Sequence, residues 1–156
     1  MRGSVTLHID APPEAVWALV SDVTNTGRFS PETFEAEWID GATGPAVGAR
    51  FRGHVRRTGM TWLAYWTKCT VIACEPGREF TFAVGSADKP INTWSYQFEP
   101  ANGGTDVTES FELRDNAGTR MYWKLRGTQR GKVNDEGMRQ TLERVKAVAE
   151  SATTPG

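Results

Sequence analysis

The chain has 156 residues, of which 38% are hydrophobic and 24% are charged, with a net charge of −1 and a pI of about 6.1. These values fit one globular domain with a real core, and the overall charge does not favour binding to nucleic acid or to an anionic membrane. The first ten residues hold no apolar run of the kind that secretory signals have, and no stretch approaches the roughly 20 apolar residues of a membrane span. The two cysteines are too close along one strand to form a disulfide, so we expect reduced thiols in a cytoplasmic protein.

The first predicted elements are a strand and a short helix. Val5, Leu7 and Ile9 alternate with polar residues, as in a half-buried strand. The segment Asp10–Glu14 then begins a helix, because proline fits the first helical turn and an acidic side chain complements its positive end. Residues 25–31 are expected to form a second short helix or a turn.

Strands dominate the middle of the chain, with strand-like composition in residues 34–39, 49–57, 61–74 and 80–84. Phe34, Ala36 and Trp38 share one face of the first of these strands. In the second, Phe51 and Val55 lie on one face and arginines on the other. The third lacks a clean alternation, which indicates burial on both faces or a β-bulge.

Residues 93–113 have the clearest strand pattern. Trp94, Tyr96 and Phe98 alternate with polar residues, and a similar alternation returns after Asn102-Gly103-Gly104. Asparagine and glycine tolerate a positive φ, so this tripeptide predicts a hairpin loop.

The chain is expected to end in one long helix, from about Gln129 to Ala152, after an irregular segment at 116–128. Its apolar stripe has the spacing of a helix face and consists of Met138, Leu142, Val145 and Ala149. We expect a single domain over residues 1–152 and a disordered tail at 153–156.

Several segments resemble the START-like (SRPBCC) superfamily, which includes the polyketide cyclase/dehydrase and lipid transport proteins. They are VTLHIDAPPEAVWALVSDV at the start, INTWSYQFEPANGGTDVTESFEL in the hairpin, GMRQTLERVKAVAE in the last helix, and FRGHVRR and TVIACEPGREFTF between them. The resemblance implies an α+β helix-grip (Bet v 1-like) fold, in which a curved antiparallel sheet of about seven strands wraps around the C-terminal helix, with two short helices after the first strand.

The same resemblance implies a deep ligand-binding cavity between the concave face of the sheet and the helix. Many large aromatic rings on such a sheet favour a small-molecule pocket over a filled core. The residues expected to line it are Phe51, Val55, Trp62, Trp66, Trp94, Tyr96, Phe98, Val107, Phe111, Asp135, Met138 and Leu142.

Polar groups in such a cavity would be the candidates for chemistry. Glu109 shares the parity of the apolar residues around it, so a regular strand points it inward, where its pKa would rise. Lys68 shares the parity of Trp66 and could bind a carboxylate or a polarised carbonyl. The alternative for Glu109 is a bulge or an ion pair near the sheet edge. For Lys68 it is a register break after Trp66 that places the side chain in water. Together with Tyr96, these two residues are the candidates for proton transfer.

Other charged groups are expected near the cavity mouth. Arg57 ends the apolar face of its strand, and Asn134 and Asp135 lie one turn before Met138, where they could meet the polar end of a ligand. Lys124, Arg126, Arg130 and Lys132 form a basic cluster that could steer an anionic ligand or a phospholipid head group. The alternatives are an extension into solvent for Arg57, helix-start polarity for Asn134 and Asp135, and ordinary surface charge for the basic cluster.

Motifs of other chemistries are missing from the sequence. Cys69 and Cys74 are expected to be reduced core thiols, and His54 is expected on the outer face of the sheet. With two histidines and no metal-type spacing, we predict no metal site, and no cofactor fingerprint is present. The arginines that flank His54 are interpreted as a solvated strand face and not as a nucleic-acid site.

The sequence therefore predicts a protein that binds an apolar or aromatic small molecule, such as a lipid or a polyketide-like compound, without a cofactor. The alternative is a cyclase, aromatase or dehydratase that uses the same cavity. A third possibility is an interaction module. The chain is expected to be a monomer or, through an edge strand, a homodimer.

Overall fold

The structure is a computed structural model that describes residues 1–57 and 62–153, without the side chain of Arg126. The elements are, in chain order, β1 (Arg2–Ile9), α1 (Pro13–Ser21), a 3-10 turn (Val23–Asn25), α2 (Thr26–Phe29), β2 (Thr33–Ile39), β3 (Arg50–Arg56), β4 (Ala64–Glu75), β5 (Glu79–Gly85), β6 (Pro90–Ala101), β7 (Gly104–Leu113) and α3 (Ala117–Thr153). Within this range the strands form one antiparallel seven-stranded sheet in the order β1-β7-β6-β5-β4-β3-β2. The helix-grip fold expected from the resemblance is confirmed.

Two expectations concern residues that the structure does not cover. Thr58-Gly59, whose residue types predict a turn between the second and third of the middle strands, and residues 154–156 of the expected tail lie outside the described residues. Thr153, which was expected in that tail, instead ends α3.

The first helix is fixed by its prolines and by one anchoring tryptophan. Pro12 is the N-cap residue in an extended conformation, Pro13 opens the first turn, and Glu14 adds the favourable acidic charge. The helix then buries Val16 completely, and Trp17 donates a hydrogen bond from Nε1 to the backbone oxygen of Glu79, at 3.0 Å. This bond ties α1 to β5 across one end of the sheet.

A β-bulge in β2 corrects one prediction about strand faces. The register with β3 shifts between Thr33 and Glu35, so the side chains on either side of the shift no longer alternate. Phe34 is therefore exposed, and its ring lies 4.3 Å from the ring of His54 on the outer face. Ala36 continues on the inner face, where it lines the cavity described below.

The last helix begins at Ala117, twelve residues before the expected start, so the prediction of irregular chain over 116–128 is wrong. Asn116 accepts a hydrogen bond at Oδ1 from the backbone N–H of Thr119, at 2.9 Å, and satisfies one of the free N–H groups of the first turn. Gly127 lies so close to the ring of Trp123 that a Cβ there would be 2.4 Å from it. Gly127 therefore makes room within the helix for the ring of Trp123.

The expected stripe on α3 is the part of the helix that enters the core. Met138, Leu142, Val145 and Ala149 are all fully or almost fully buried. The helix packs mainly against β1, with a smaller contact on β7. The helix α3 therefore lies over the side of the sheet that β1 and β7 form.

The outer face of β2 and β3 is charged and paired, as expected from the arginine pattern. Arg50 contacts Asp40 at 2.6 Å, Arg52 contacts Glu37, and Nδ1 of His54 contacts Glu35 at 2.7 Å. These partly exposed pairs belong to a solvated face, and each contributes little to stability.

Candidate functional site

A cavity of about 660 Å³ lies between the concave face of the sheet and α3. It exists because α3 packs against β1 and β7 and leaves the inner faces of β3, β4 and β5 uncovered. Its volume lies within the roughly 300–1,000 Å³ of sites that take drug-sized ligands.

Most of the cavity wall is apolar and comes from elements far apart in the chain. α1, the 3-10 turn, four strands and α3 contribute apolar side chains to it, through Val20, Val23, Ala36, Phe51, Val55, Phe80, Phe82, Val84, Ile91, Trp94 and Met138.

The structure brings five of the residues expected to line a pocket together in this wall: Phe51, Val55, Trp94, Tyr96 and Met138. Four others point inward but lie in the packed core beside the cavity and not in its wall, namely Phe98, Val107, Phe111 and Leu142. They support the wall by filling the space under β1, β6 and β7.

Trp62 and Trp66 do not line the cavity, and their predicted positions are wrong. Lys68 does not line it either, so of the two orientations considered for Lys68 the structure has the outward one. Trp66 lies on the outer face, where its ring stacks on His54 at 4.3 Å and lies under the guanidinium of Arg52 at 4.4 Å. Lys68 has the same parity and is exposed, and Trp62 is 82% exposed in the turn before β4. The register of β4 with β3 places Tyr65, Thr67 and Cys69, and not the tryptophan, on the inner face.

Asp135 is also misplaced by the prediction. It is exposed, and its Oδ1 lies near Gly3 of β1, at 3.1 Å from the position that a Cβ on that glycine would take. Its neighbours Asn134 and Glu136 line the cavity instead. A helix turns by about 100° per residue, so the choice between these three positions depends on the exact rotation of α3.

The most perturbed group in the cavity wall is Glu109. It is 3% exposed and lies on β7 directly opposite Tyr96 of β6, whose hydroxyl donates a hydrogen bond to Oε1 at 2.8 Å. Burial raises the pKa of Glu109 to about 8, although the hydrogen bond from Tyr96 opposes this shift. Burial and the neighbouring carboxyl raise the pKa of Tyr96. Both groups are therefore mainly protonated at neutral pH.

Of the two orientations considered for Glu109, the structure has the inward one of a regular strand, and one carboxyl oxygen lacks a hydrogen bond. Its Oε2 is buried and has no hydrogen-bond partner among the described residues, and the same holds for Oδ1 of Asn92. Both side chains belong to the cavity wall. A buried polar atom without a partner costs about 1–3 kcal/mol, so a polar group of a bound molecule would be stabilising at either position.

The cavity mouth is held by an ion pair that no local sequence pattern reveals. Arg130 of α3 donates to both carboxylate oxygens of Glu32, at 3.0 and 2.8 Å, and the two side chains are about four-fifths buried. The partners are 98 residues apart, so only the tertiary structure shows that they meet. Arg57 and Lys132 also line the cavity near this pair, and the sequence analysis considered both residues as candidates for the mouth.

Neither cysteine offers a nucleophile to the cavity. Both thiols are free, and burial raises the pKa of Cys69 to about 12 and also raises the pKa of Cys74. Such thiols stay protonated and unreactive at neutral pH. In the described part of the chain, no group of three or more histidine, cysteine or acidic side chains could hold a metal ion.

The chain matches the model of a protein family described as "Polyketide cyclase / dehydrase and lipid transport" over residues 2–150. No curated protein matches the chain. None of the helices in the described ranges has the length and hydrophobicity that crossing a bilayer requires.

Solved structures similar to this chain include the Polyketide_cyc-like protein Cgl2372 from Corynebacterium glutamicum. It shares 31% sequence identity and has a TM-score of 0.64, over 97% of this chain and 92% of that one. The protein TTHA0849 from Thermus thermophilus has a TM-score of 0.72 at 17% identity, over 99% of this chain and 100% of that one. DR_A0006 from Deinococcus radiodurans has a TM-score of 0.68 at 18% identity, over 97% and 99%. The last two show the fold alone.

Proposed function

Because the chain belongs to the polyketide cyclase/dehydrase and lipid transport family, we propose that it binds an apolar or aromatic small molecule, lipid-like or polyketide-like, in the cavity between sheet and α3. The observation that carries this proposal is the cavity itself, which has about 660 Å³ of space behind mainly apolar walls. A domain of this size normally fills its interior to crystal-like density, so a void this large indicates a ligand.

Apolar burial would supply most of the affinity. Each Å² of apolar surface removed from water contributes about 25 cal/mol, before the loss of translational and rotational freedom is subtracted. Aromatic faces from Phe51, Phe82 and Trp94 suit a flat or chain-like hydrocarbon body.

The polar wall groups would select the ligand's orientation. Glu109, kept neutral by burial, and Tyr96 suit an uncharged oxygen such as a ketone or a hydroxyl, and they disfavour a carboxylate at that depth. Arg57 and Lys132 lie toward the mouth, where an acidic end of the ligand would be better placed. The ligand would thus have its neutral end inside.

The first test is mass spectrometry of the small molecules that co-purify with the protein, followed by titration with the uncharged fluorescent probe N-phenyl-1-naphthylamine. Ala36→Trp places a large ring in the cavity and should weaken probe binding by at least about tenfold. Ala64→Trp is the matched control, because Ala64 is exposed at the start of β4. Equal probe affinity in the two variants would overturn the assignment of the cavity as the binding site.

A second candidate function is catalysis of cyclisation or dehydration on the same ligand. It is favoured by one observation, the buried Glu109–Tyr96 pair with the pKa of Glu109 at about 8. A carboxyl with this pKa can both donate and accept a proton near neutral pH. The cavity would contribute by holding a flexible chain in a reactive conformation.

The two functions are separated by incubating the co-purified compound, or a polyketide-like analogue, with the protein and following its mass and spectrum. Conversion that is lost in both Glu109→Gln and Tyr96→Phe, while N-phenyl-1-naphthylamine still binds, would establish catalysis. If the compound is recovered unchanged at every pH between about 6 and 9, on both sides of the Glu109 pKa, the catalytic hypothesis is rejected and ligand binding remains as the function.

A further inference from the structure

The most exposed apolar side chains of this protein are concentrated at one end of the sheet. Among the described residues, five large apolar side chains are more than 60% exposed: Trp62, Leu125, Val47, Met121 and Ile91. Scattered single exposures need no explanation, but a group at one place does.

The strand order puts four of these five side chains together. In an antiparallel sheet whose neighbours follow one another in sequence, the β3–β4, β5–β6 and β7–α3 connections all lie at the same end. Trp62 lies in the first connection, Ile91 is the second residue of β6 after the second connection, and Met121 and Leu125 lie one turn apart near the start of α3. We call these four residues the mouth surface. Val47, in the β2–β3 connection, lies at the opposite end.

The mouth surface lies at the end of the sheet where several cavity-lining residues are found. Ile91 belongs both to it and to the cavity wall. Arg57 and Tyr65, which flank the β3–β4 connection, and Lys132 of α3 line the cavity from the same end. Apolar side chains thus project into solvent around the place where an apolar ligand would enter.

The same region carries a strong local positive charge that the chain's overall net charge of −1 hides. Residues 114–132 contain six lysines and arginines and a single acidic residue, Asp115, so this segment has a net charge of +5 and the rest of the chain −6. Asp115 pairs with Arg120 at 2.6 Å. Lys124 and Lys132 are exposed and make no ion pair with any described residue, so their charge is available to a partner.

We propose that the mouth surface docks on an anionic lipid membrane, with Trp62, Met121 and Leu125 inserted at the interface and the basic residues of α3 against the lipid head groups. Exposed apolar side chains beside lysines and arginines on one helix are typical of helices that lie on membranes, and tryptophan favours the interface. A bilayer would let an apolar ligand pass between lipid and cavity without crossing water.

A fluid membrane explains these features better than a protein partner. The four apolar side chains come from three separate segments and project individually, whereas a protein interface needs a densely packed centre with shape complementarity. A bilayer adapts to projecting side chains. The proposal goes beyond ligand binding and does not depend on what the cavity holds.

Co-sedimentation of the full chain with vesicles tests the proposal. The protein should bind phosphatidylcholine vesicles that contain about 30% phosphatidylglycerol at least about tenfold more tightly than pure phosphatidylcholine vesicles, and added salt should weaken this binding. Met121→Glu/Leu125→Glu should reduce binding to the level of the pure phosphatidylcholine vesicles. Lys124→Glu should weaken it by about fivefold or more.

The controls match each change in exposure and charge. Val47→Glu alters a side chain that is 66% exposed, against 65% for Met121, at the opposite end. Lys68→Glu changes the net charge as Lys124→Glu does, but from the exposed outer face of β4. Unchanged binding of N-phenyl-1-naphthylamine shows that each variant is folded. The proposal is overturned if the wild type does not prefer anionic vesicles, if it binds an acidic protein but no vesicle, or if the controls weaken binding as much as the mouth variants.

Discussion

Replacing Glu109 by glutamine should change how the stability of this protein depends on pH. In the folded protein burial raises the pKa of Glu109 from its ordinary 4.5 to about 8, whereas the unfolded chain has the ordinary value. Between these two pH values the folded state binds a proton that the unfolded state has lost. The contribution of this group to stability should therefore be highest below pH 4.5, decrease as the pH rises, and stop changing above pH 8.

The size of the effect follows from the two pKa values. The slope over this interval is about 1.4 kcal/mol per pH unit, and the full difference is about 5 kcal/mol. Glutamine is nearly isosteric and does not titrate. Its buried amide adds a cost of its own, but that cost is independent of pH, so only the difference between the two pH profiles measures the carboxyl.

Urea unfolding at several pH values between about 5 and 9 gives both profiles, since this range covers most of the interval between the two pKa values. We expect the free energy of unfolding of Glu109→Gln minus that of the wild type to increase by several kcal/mol from the low to the high end of the range. Glu112→Gln is the matched control, because Glu112 lies on the same strand but is exposed. Parallel profiles for the wild type and Glu109→Gln would refute the reasoning.

Three further substitutions test the packing around the site. Tyr96→Phe removes the hydrogen bond that opposes the pKa shift of Glu109, so in urea unfolding it should cost about 1–2 kcal/mol and move the upper end of the pH dependence to higher pH. Arg130→Met leaves the largely buried Glu32 without its bidentate partner and should destabilise by about 1–3 kcal/mol in the same assay, with little change if the pair is effectively solvated. Gly127→Ala forces the ring of Trp123 to move and should cost about 1–3 kcal/mol and alter the tryptophan fluorescence, whereas Gly131→Ala, whose Cβ would lie 3.7 Å from that ring, should be neutral or stabilising.

The side chains that β3, β6 and β7 contribute to the cavity wall could largely be predicted from the alternation of apolar and polar residues along these strands. Phe51, Val55 and Tyr96 lie where the period-two pattern placed them, and so does Glu109, because these strands are regular where they face the cavity. Periodicity assigns residues to a common face without saying which face is concave. That second step came from the family resemblance.

The errors are concentrated where the alternation was broken or ambiguous. In β4 a register shift falls between Val71 and Ala73, and the large apolar residues occur on both faces of the strand. Size alone favoured Trp66 as the inward residue, but its ring is stabilised on the outer face by His54 and Arg52. Aromatic residues can thus be held at a surface by stacking and cation–π contacts, and composition does not separate such a residue from one in a core.

The polar part of the site was the least predictable, because it depends on distant contacts. The Arg130–Glu32 pair joins α3 to the chain before β2, and no local pattern in either segment indicates the other. Asn92 has the parity of Trp94 and Tyr96 in β6, so alternation gives its face, but no local pattern shows that its side-chain oxygen is buried without a partner. Both features arise from the assembled fold.

Glu109 is the strongest reason to regard the cavity as functional and not as a packing defect. At neutral pH the fold must keep this carboxyl protonated, which costs stability, and an apolar residue at the same position would avoid that cost. The sheet itself does not require an acid at this position, because the neighbouring inward residues of β7, Val107 and Phe111, are apolar and buried. Proteins keep such destabilising groups where a site needs them. We therefore expect Glu109→Gln to be more stable than the wild type above pH 8 and yet to bind ketone-bearing probes more weakly. A variant that gained stability with no loss of such binding would remove the functional reason for the carboxyl.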